Sequence, residues 1–177
     1  MNNPSVSLSY TVSGGKINVS VPATAPHAYD SVVCVEVSGM PAVPAGGAYR
    51  LVSAQNGKAL ENGNTTTEGG QVIQWTPNGG SPQQWTVTDL GHGYYKLVCV
   101  RSGKVLDDNG TTSDGAVMVQ RADSGGQQQW AVTALGGDAF RLTNRHSGKM
   151  LGNAYASGDG SPVTQWSANG GPRRTGT

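Results

Sequence analysis

Asn56-Gly57-Lys58-Ala59-Leu60 recurs twice further along the chain, as Ser102-Gly103-Lys104-Val105-Leu106 and as Ser147-Gly148-Lys149-Met150-Leu151. The glycines of the three copies are 46 and 45 residues apart. A fixed period of this length is typical of one supersecondary unit used several times, in which a core forms only when the units come together. Three copies favour a closed three-fold object over an open array.

Each period holds the pattern of four short strands separated by turn residues. In the first repeat the strands are expected at 49–52, 58–61, 72–75 and 83–87, and glycine-containing or polar segments separate them. The offset also carries Gln83-Gln84-Trp85 onto Gln128-Gln129-Trp130. Three repeats of four strands predict an all-β protein with the strand count of a β-trefoil, a six-stranded barrel capped by three hairpins. No segment has the pattern of an amphipathic helix.

The third repeat is incomplete in the sequence. Val163-Thr164-Gln165-Trp166 aligns with the third strand of the first repeat, but residues 172–177 stand where a Gln-x-Trp strand is expected. One barrel strand and one core tryptophan are therefore missing, and the pattern predicts a barrel edge with unpaired backbone groups.

The first 47 residues have a different organisation. Alternating apolar residues indicate strands on either side of Ser13-Gly14-Gly15-Lys16, where adjacent glycines favour a tight hairpin turn. A third strand is expected at 32–37. We interpret residues 1–37 as part of a β-sandwich, 38–47 as a Pro- and Gly-rich linker and 48–177 as the trefoil.

Composition excludes several classes of function. Only 13% of the residues are charged and the formal net charge is +1, which removes the basic surface expected of a nucleic-acid-binding protein. No apolar run is long enough to span a membrane, and no signal peptide is visible. Cys34 and Cys99 form no metal or redox motif, and we expect buried free thiols, with a disulfide between them as the alternative. The histidines lie far apart without ligand spacing, so neither a metal nor another cofactor is expected.

Two parts of the chain resemble known families. The repeated Gln-x-Trp, the Gly-Lys-x-Leu segment and the period together resemble the ricin-B-type lectin domain over residues 48–171. That resemblance implies a sugar-binding β-trefoil, often attached to a secreted glycoside hydrolase. Lys16-Ile17-Asn18-Val19-Ser20-Val21-Pro22 and the residues that follow are similar to the end of the C-terminal β-sandwich in alpha-L-fucosidase-like glycosidases.

The resemblance also implies where sugar would bind. A sugar needs an aromatic plate for its C–H face and carboxylate or amide groups for its hydroxyls. The family places the carboxylate after the second strand, the aromatic at the end of the third and an amide near the Gln-x-Trp. The first repeat offers Glu61, Trp75, Asn78 and Gln83. The second offers Asp107 and Gln128, with Gln120 at the position assigned to Trp75. The third offers Trp166 and Asn169, with Gly152 in place of the carboxylate and Asn153 as its substitute.

Structural alternatives exist for most of these residues. Gln83 and Gln128 could serve only to satisfy backbone groups in turns. Trp75 and Trp166 could pack under the hairpins instead of forming a plate. We expect the remaining large side chains at repeat spacing to form the core: Leu51, Leu60, Trp85, Leu97, Leu106, Trp130 and Leu142.

The sequence therefore predicts a non-catalytic carbohydrate-binding module. Its ligands would be glycans of the galactoside or xylan type, and the module would belong to the C-terminal end of an extracellular glycosidase whose catalytic domain lies elsewhere in the parent chain. No paired carboxylates at suitable positions support the alternative that this chain itself hydrolyses a glycoside. A third hypothesis is a trefoil that binds or inhibits another protein, because a fold alone does not determine function.

Overall fold

A computed structural model describes residues 9–13, 16–20, 46–136 and 139–168. The chain divides into two compact units, Met1–Ser38 and Gly39–Thr177. In the first unit, β1 (Ser9–Ser13) and β2 (Lys16–Ser20) form an antiparallel pair in which Ser13 lies opposite Lys16. This register confirms the hairpin predicted around the two glycines. The strand predicted at 32–37, and Cys34 within it, lie outside the described residues.

The second unit consists of short strands and two single turns of 3-10 helix, Ser81–Gln83 and Gly126–Gln128. No helix in the described part of the chain is long and apolar enough to cross a membrane. The strands are β3 (Ala48–Tyr49), β4 (Ala59–Glu61), β5 (Gly70–Gln71), β6 (Ile73–Trp75), β7 (Trp85–Asp89), β8 (Tyr94–Cys99), β9 (Val105–Asp107), β10 (Val119–Arg121), β11 (Trp130–Gly136), β12 (Ala139–Asn144), β13 (Met150–Gly152) and β14 (Thr164–Trp166). The all-β prediction is confirmed.

Three hairpins, one from each repeat, form a continuous cap. They are the antiparallel pairs β4 with β6, β9 with β10 and β13 with β14. Neighbouring hairpins are joined through β5 with β10, through a bridge between Val117 and Thr164, and through a bridge between Ile73 and Pro162. The bridge between Ile73 and Pro162 connects the last repeat to the first, so the cap closes on itself.

The other strands form an open sheet in the order β3-β7-β8-β11-β12, in which every neighbouring pair is antiparallel. These five strands do not close into a barrel, because no described strand lies between β12 and β3. The sequence predicts this gap, since the fourth strand of the third repeat would occupy the place between them.

The core lies between the sheet and the cap. Leu60, Trp85, Leu97, Leu106 and Trp130 are buried as predicted, and Cys99 is a buried free thiol beside them. The prediction that Leu51 and Leu142 are fully buried is wrong. Both are only partly buried at the margin of the core, because they face the gap, whereas Leu97, their counterpart in the second repeat, is covered on both sides.

Candidate functional site

The three hairpins present equivalent positions on their outer faces. In β4 and β6, Glu61 lies opposite Ile73 and Ala59 opposite Trp75, so Glu61 and Trp75 share a face of the ribbon. The corresponding pairs are Asp107 with Arg121 in the second hairpin and Gly152 with Trp166 in the third. Only the first hairpin therefore combines a carboxylate with an aromatic ring.

A cavity of about 480 Å³ lies over this face of the first repeat. Its lining includes two glycines together with Glu61, Asn64, Ile73, Trp75, Asn78 and Pro82. The Trp75 side chain is 39% exposed, whereas Glu61 is 6% exposed and lies at the base. The structure thus brings Glu61, Trp75 and Asn78 together, as the sequence predicts.

A buried amide orients the Glu61 carboxylate. Gln83 Nε2 donates to Glu61 Oε2 over 2.8 Å and to the Thr76 carbonyl over 3.0 Å. Gln83 Oε1 accepts from the backbone N–H of Asn78 over 2.9 Å. Gln83 is completely buried, so it positions the carboxylate and the turn from behind. Glu61 Oε1 has no hydrogen-bond partner among the described residues and remains available as an acceptor.

The Trp75 ring is supported by a glycine from the third repeat. A Cβ at Gly160 would lie 3.6 Å from Cζ3 of the ring, so the indole lies directly against this backbone. The ring is therefore in contact with this backbone at Cζ3, while the side chain stays partly exposed and lines the cavity. The two roles that the sequence leaves open for Trp75, packing and ligand plate, are compatible in this geometry.

In the second repeat the equivalent site is closed by the protein's own side chains. Asp107 Oδ1 accepts from the backbone N–H of Asn109 over 2.6 Å, and Oδ2 accepts from Gln128 Nε2 over 2.9 Å. Arg121 Nη2 donates to Asn109 Oδ1 over 2.6 Å and so bridges the position that is open in the first repeat. Asp107 and Gln128 are both fully buried.

The assignment of Gln120 to the position of Trp75 is wrong. The strand register places Arg121 there, while Gln120 corresponds to Gln74 and is fully buried. The single-residue difference in period explains the error. The two repeats stay 46 residues apart as far as Arg121 and are 45 apart only from Gln128, so the deletion lies in the turn after β10.

The third repeat has the ring without the carboxylate. Trp166 is half-buried, lies 3.4 Å from a Cβ built at Gly115, and donates its indole N–H to Thr164 Oγ1 over 3.0 Å. Asn153 does not take the place of a carboxylate, because its amide is bonded to Gln74 and to the Ala156 carbonyl inside the protein. Asn169 lies outside the described residues.

Two stretches of the chain, residues 41–121 and 90–166, match the model of the ricin-type β-trefoil lectin domain-like family. The chain belongs to this family. No curated protein sequence matches the chain at a significant level.

Solved structures agree with this membership. A designed three-fold symmetric protein, ThreeFoil, is 47% identical, with 70% of this chain and 91% of that chain covered and a TM-score of 0.67. An exo-β-1,3-galactanase from Clostridium thermocellum is 34% identical, with 73% of this chain but 29% of that chain covered and a TM-score of 0.67. A ricin B-like lectin from Macrolepiota procera, solved in complex with lactose, is 23% identical, with 73% and 92% covered and a TM-score of 0.63. The predicted β-trefoil fold is confirmed.

Three buried glutamines join the repeats of this lectin-type domain, a role that sequence reasoning missed. Gln120 Nε2 donates to the Thr65 carbonyl over 2.8 Å, and Gln165 Nε2 donates to the Thr111 carbonyl over 2.6 Å. Gln74 Nε2 completes the set with a 2.8 Å bond to the Ala156 carbonyl. The recurrence of glutamine just before the end of the third strand in every repeat was the signal that could have revealed them.

Three ion pairs on the surface recur in the same way, one at each boundary between repeats. Each pair joins a loop carboxylate to the lysine of the next Gly-Lys segment, at 2.7 Å for Glu68–Lys104, 2.7 Å for Asp114–Lys149 and 2.8 Å for Asp159–Lys58. The hydrogen bond from the partner lysine lowers the pKa of each of these carboxyls, and a backbone N–H adds to the effect. These three ion pairs thus link each repeat to the next.

Proposed function

We propose that this domain binds a carbohydrate through the cavity of the first repeat. The observation that carries the proposal is the combination, in one cavity, of a partly exposed indole and a carboxylate of which one oxygen has no hydrogen-bond partner among the described residues. An indole face complements the apolar C–H face of a sugar, and a carboxylate accepts hydrogen bonds from its hydroxyls. The family membership favours the same chemistry.

The geometry suggests how each residue contributes. The Trp75 ring would stack on the sugar, while Glu61 Oε1 would accept from a hydroxyl at the base of the cavity. Asn78 Oδ1 is engaged by the backbone N–H of Gly80 over 2.8 Å, so its Nδ2 is the group that could donate to the ligand. Gln83 would not contact sugar, since it is buried behind Glu61 and holds the carboxylate in place.

A galactoside is the favoured ligand class. Among the similar proteins, the one from Clostridium thermocellum is an exo-β-1,3-galactanase and the lectin from Macrolepiota procera was solved with lactose. A xylan-type ligand is the alternative. One functional site is expected, because Arg121 bridges the second position and Gly152 leaves the third without a carboxylate.

The proposed role is targeting instead of hydrolysis. Glycosidases use two carboxyl groups that are about 5–10 Å apart across the scissile bond, and Glu61 is the one carboxylate among the described residues that line the cavity. Asp107 and Asp108, the adjacent pair in the second repeat, are fully buried and bonded within the protein. These side chains have no access to a substrate.

The wider context of the module also remains a proposal. We infer an extracellular parent glycosidase whose catalytic domain the module would direct to glycans. The support is the likeness to the galactanase, of which this chain spans 29%. Detection of the module in a longer secreted chain with a glycosidase domain would test this context.

The binding test is a calorimetric titration of the full chain with lactose, β-1,3-galactobiose and xylobiose. We expect one site per chain for a galactoside, and Trp75→Ala should weaken it by at least about tenfold while the melting temperature hardly changes, because a stacking ring that is partly exposed contributes more to the ligand than to the core. Trp166→Ala is the matched control and should leave affinity unchanged. Equal binding by the wild type and Trp75→Ala would remove the first-repeat site, and failure of every sugar to bind would favour the protein-interaction hypothesis.

A further inference from the structure

The sugar cavity of the first repeat carries an Asn-Gly pair that is exposed to solvent. Asn78 and Gly79 follow β6 and lie outside any strand. In such a pair the backbone nitrogen of the glycine can attack the side-chain amide carbon of the asparagine, because glycine has no side chain that hinders the approach. The sequence holds five Asn-Gly pairs, which begin at positions 56, 62, 78, 109 and 169. The last lies outside the described residues, so the structure distinguishes the other four.

Hydrogen bonds and burial protect three of these four pairs. The N–H of Gly57 donates to a backbone carbonyl over 2.8 Å, and that of Gly110 donates to a carboxylate over 2.9 Å, so both nitrogens are engaged. Asn62 is completely buried, and its Nδ2 donates to the Thr65 carbonyl over 2.7 Å. Its amide would have to leave this bond before it could turn towards Gly63.

Asn78 has neither kind of protection. Its Nδ2 and the N–H of Gly79 have no hydrogen-bond partner among the described residues. A Cβ built at Gly79 would meet no described atom within 4 Å, so water has room to reach this peptide. The pair at position 78 is therefore the one of the four that combines an exposed amide with an unengaged glycine nitrogen.

The turn around Asn78 also favours the attack. The N–H of Gly80 donates to Asn78 Oδ1 over 2.8 Å, and this bond closes a ring of atoms that contains both Cγ of Asn78 and the Gly79 nitrogen. Attack on Cγ places negative charge on Oδ1, and a donor already bonded to that oxygen stabilises the charge. Gln83 accepts from the N–H of Asn78 and Gln84 donates to the Gly79 carbonyl, each over 2.9 Å, so the backbone is held on both sides.

We infer that Asn78 is a site of spontaneous deamidation. The Gly79 nitrogen forms a bond to Cγ of Asn78, and the bond from Cγ to Nδ2 breaks. The proton of the Gly79 N–H passes through water to the departing nitrogen, which leaves as ammonia. A five-membered cyclic imide remains, and water opens it at either carbonyl to give an aspartyl or an isoaspartyl residue. Water is the only co-reactant.

The product changes the sugar cavity, and this consequence rests on the proposed function. Deamidation replaces the Nδ2 donor of Asn78 with a carboxylate oxygen. Glu61 already lines the same cavity, and Gln83 bonds both to its carboxylate and to the backbone of Asn78. The cavity would then hold two neighbouring carboxylates and one donor fewer for a sugar hydroxyl, so its affinity for sugar should fall.

The modification is measured without any sugar. The full chain is kept in mildly alkaline buffer, digested and mapped by tandem mass spectrometry, and labelling by an isoaspartyl methyltransferase gives a second readout. We expect Asn78 to convert at least about tenfold faster than Asn56, Asn62 and Asn109, because hydrogen bonds must break before each of those can react. In urea, where these bonds are lost, the four pairs should convert at similar rates. Asn78→Gln should remove the fast site, because its longer side chain would have to form a six-membered ring.

The consequence for binding is measured separately with Asn78→Asp. This variant should keep the wild-type melting temperature and bind lactose at least about tenfold more weakly in calorimetry, since a donor to the ligand is lost. Asn109→Asp is the matched control, because Asn109 is also exposed and follows the second strand of its own repeat outside the sugar cavity. It should bind lactose as the wild type does.

Conversion of Asn78 in the folded chain no faster than that of the three protected asparagines would overturn the inference. Wild-type affinity of Asn78→Asp for lactose would overturn the consequence for the cavity. Failure of the wild type to bind lactose, β-1,3-galactobiose and xylobiose would refute the proposed function and this consequence together, whereas the conversion rates would still decide whether Asn78 is the modified residue.

Discussion

At the scale of single residues, the four tryptophans serve two purposes that follow from their place in the repeat. Trp85 and Trp130 begin the fourth strands and are buried, whereas Trp75 and Trp166 end the third strands and lie at the surface of the cap. Core packing and the proposed sugar recognition therefore fall on two different positions of one repeated unit. Substitution at the two positions should affect different measurements.

Trp130→Ala is expected to destabilise the domain by about 3–5 kcal/mol, since it removes a large buried aromatic and leaves a cavity. It also removes the indole donor to the Leu106 carbonyl. Urea denaturation of the full chain measures the change, with Trp75→Ala as the control that should leave stability nearly unchanged. A loss below about 1 kcal/mol for Trp130→Ala would mean that the surrounding core collapses onto the vacated space.

Gly152→Asp is expected to create a second sugar site. Gly152 occupies the carboxylate position opposite Thr164, and a Cβ there would lie 3.8 Å from the Trp166 ring, an ordinary contact. Titration with the sugar that the wild type binds should show two sites per chain instead of one. Gly152→Asn has nearly the same size without the charge and should show a weaker gain. If both variants keep one site, a carboxylate beside Trp166 is not sufficient for binding.

At the scale of elements, the second and third strands of each repeat are connected through a turn that the three repeats build with different residues. The turn has two consecutive residues with positive φ, which are Gly63-Asn64, Asn109-Gly110 and Ala154-Tyr155. Glycine and asparagine tolerate this left-handed region, whereas alanine and tyrosine place a Cβ too close to the backbone. The third repeat therefore holds a strained turn that its two relatives avoid.

Replacing Ala154-Tyr155 with Asn-Gly should stabilise the domain by about 1–3 kcal/mol, because both residues leave an unfavourable backbone conformation. The free energy of unfolding from urea titration measures the gain. The matched control is Ala156→Gly, which changes a neighbouring residue without a positive φ and should not stabilise. An unchanged or lower stability of the Asn-Gly variant would show that Tyr155 makes contributions that outweigh the strain.

The elements also show where prediction from sequence succeeded and failed. The repeat offset predicted the hairpins and the buried tryptophans, because apolar spacing and turn residues act locally. It misplaced Gln120, since a single-residue deletion after β10 cannot be located from the two ends of a repeat. It also missed the contact of Arg121 with Asn109 and the support of Trp75 by Gly160, because these depend on how separate loops meet.

At the scale of the whole molecule, the repeats are closed into a ring by the cap, although the sheet beneath it is open. The junction of the third and first repeats has no strand between β12 and β3 in the part of the chain that the structure describes, but it keeps the Lys58–Asp159 pair and the bond from Gln74 to the Ala156 carbonyl. The backbone bond from the Val163 N–H to the Val72 carbonyl, 3.0 Å, completes this junction. The surface ion pairs should therefore matter most where the sheet gives least support.

Asp159→Asn is expected to destabilise the domain at about pH 7, and its effect should shrink as pH falls below the unfolded pKa of an aspartate, about 3.9. The pairing with Lys58 lowers the pKa of Asp159 in the folded state, so its stabilisation is present above the unfolded value and is lost as pH falls through the folded one. Urea titrations across this range measure the difference between wild type and variant. Asp114→Asn, at the junction of the second and third repeats, should have the smaller effect. Equal effects of the two substitutions would contradict the expectation that the ion pair contributes most at the junction of the third and first repeats.

The glutamine hydrogen bonds between repeats and the three ion pairs all run in one direction around the ring. Each repeat offers loop carbonyls and a carboxylate to the next repeat, and it receives the same groups from the one before through its own glutamine and lysine. In the language of subunit assembly this is a heterologous, head-to-tail contact, and such a contact either closes after a set number of copies or grows without limit. Here it closes after three. The contacts that arrange the repeats therefore do not depend on the peptide links between them. Three separate copies of one repeat would contain the donor and acceptor surfaces needed to assemble the same ring.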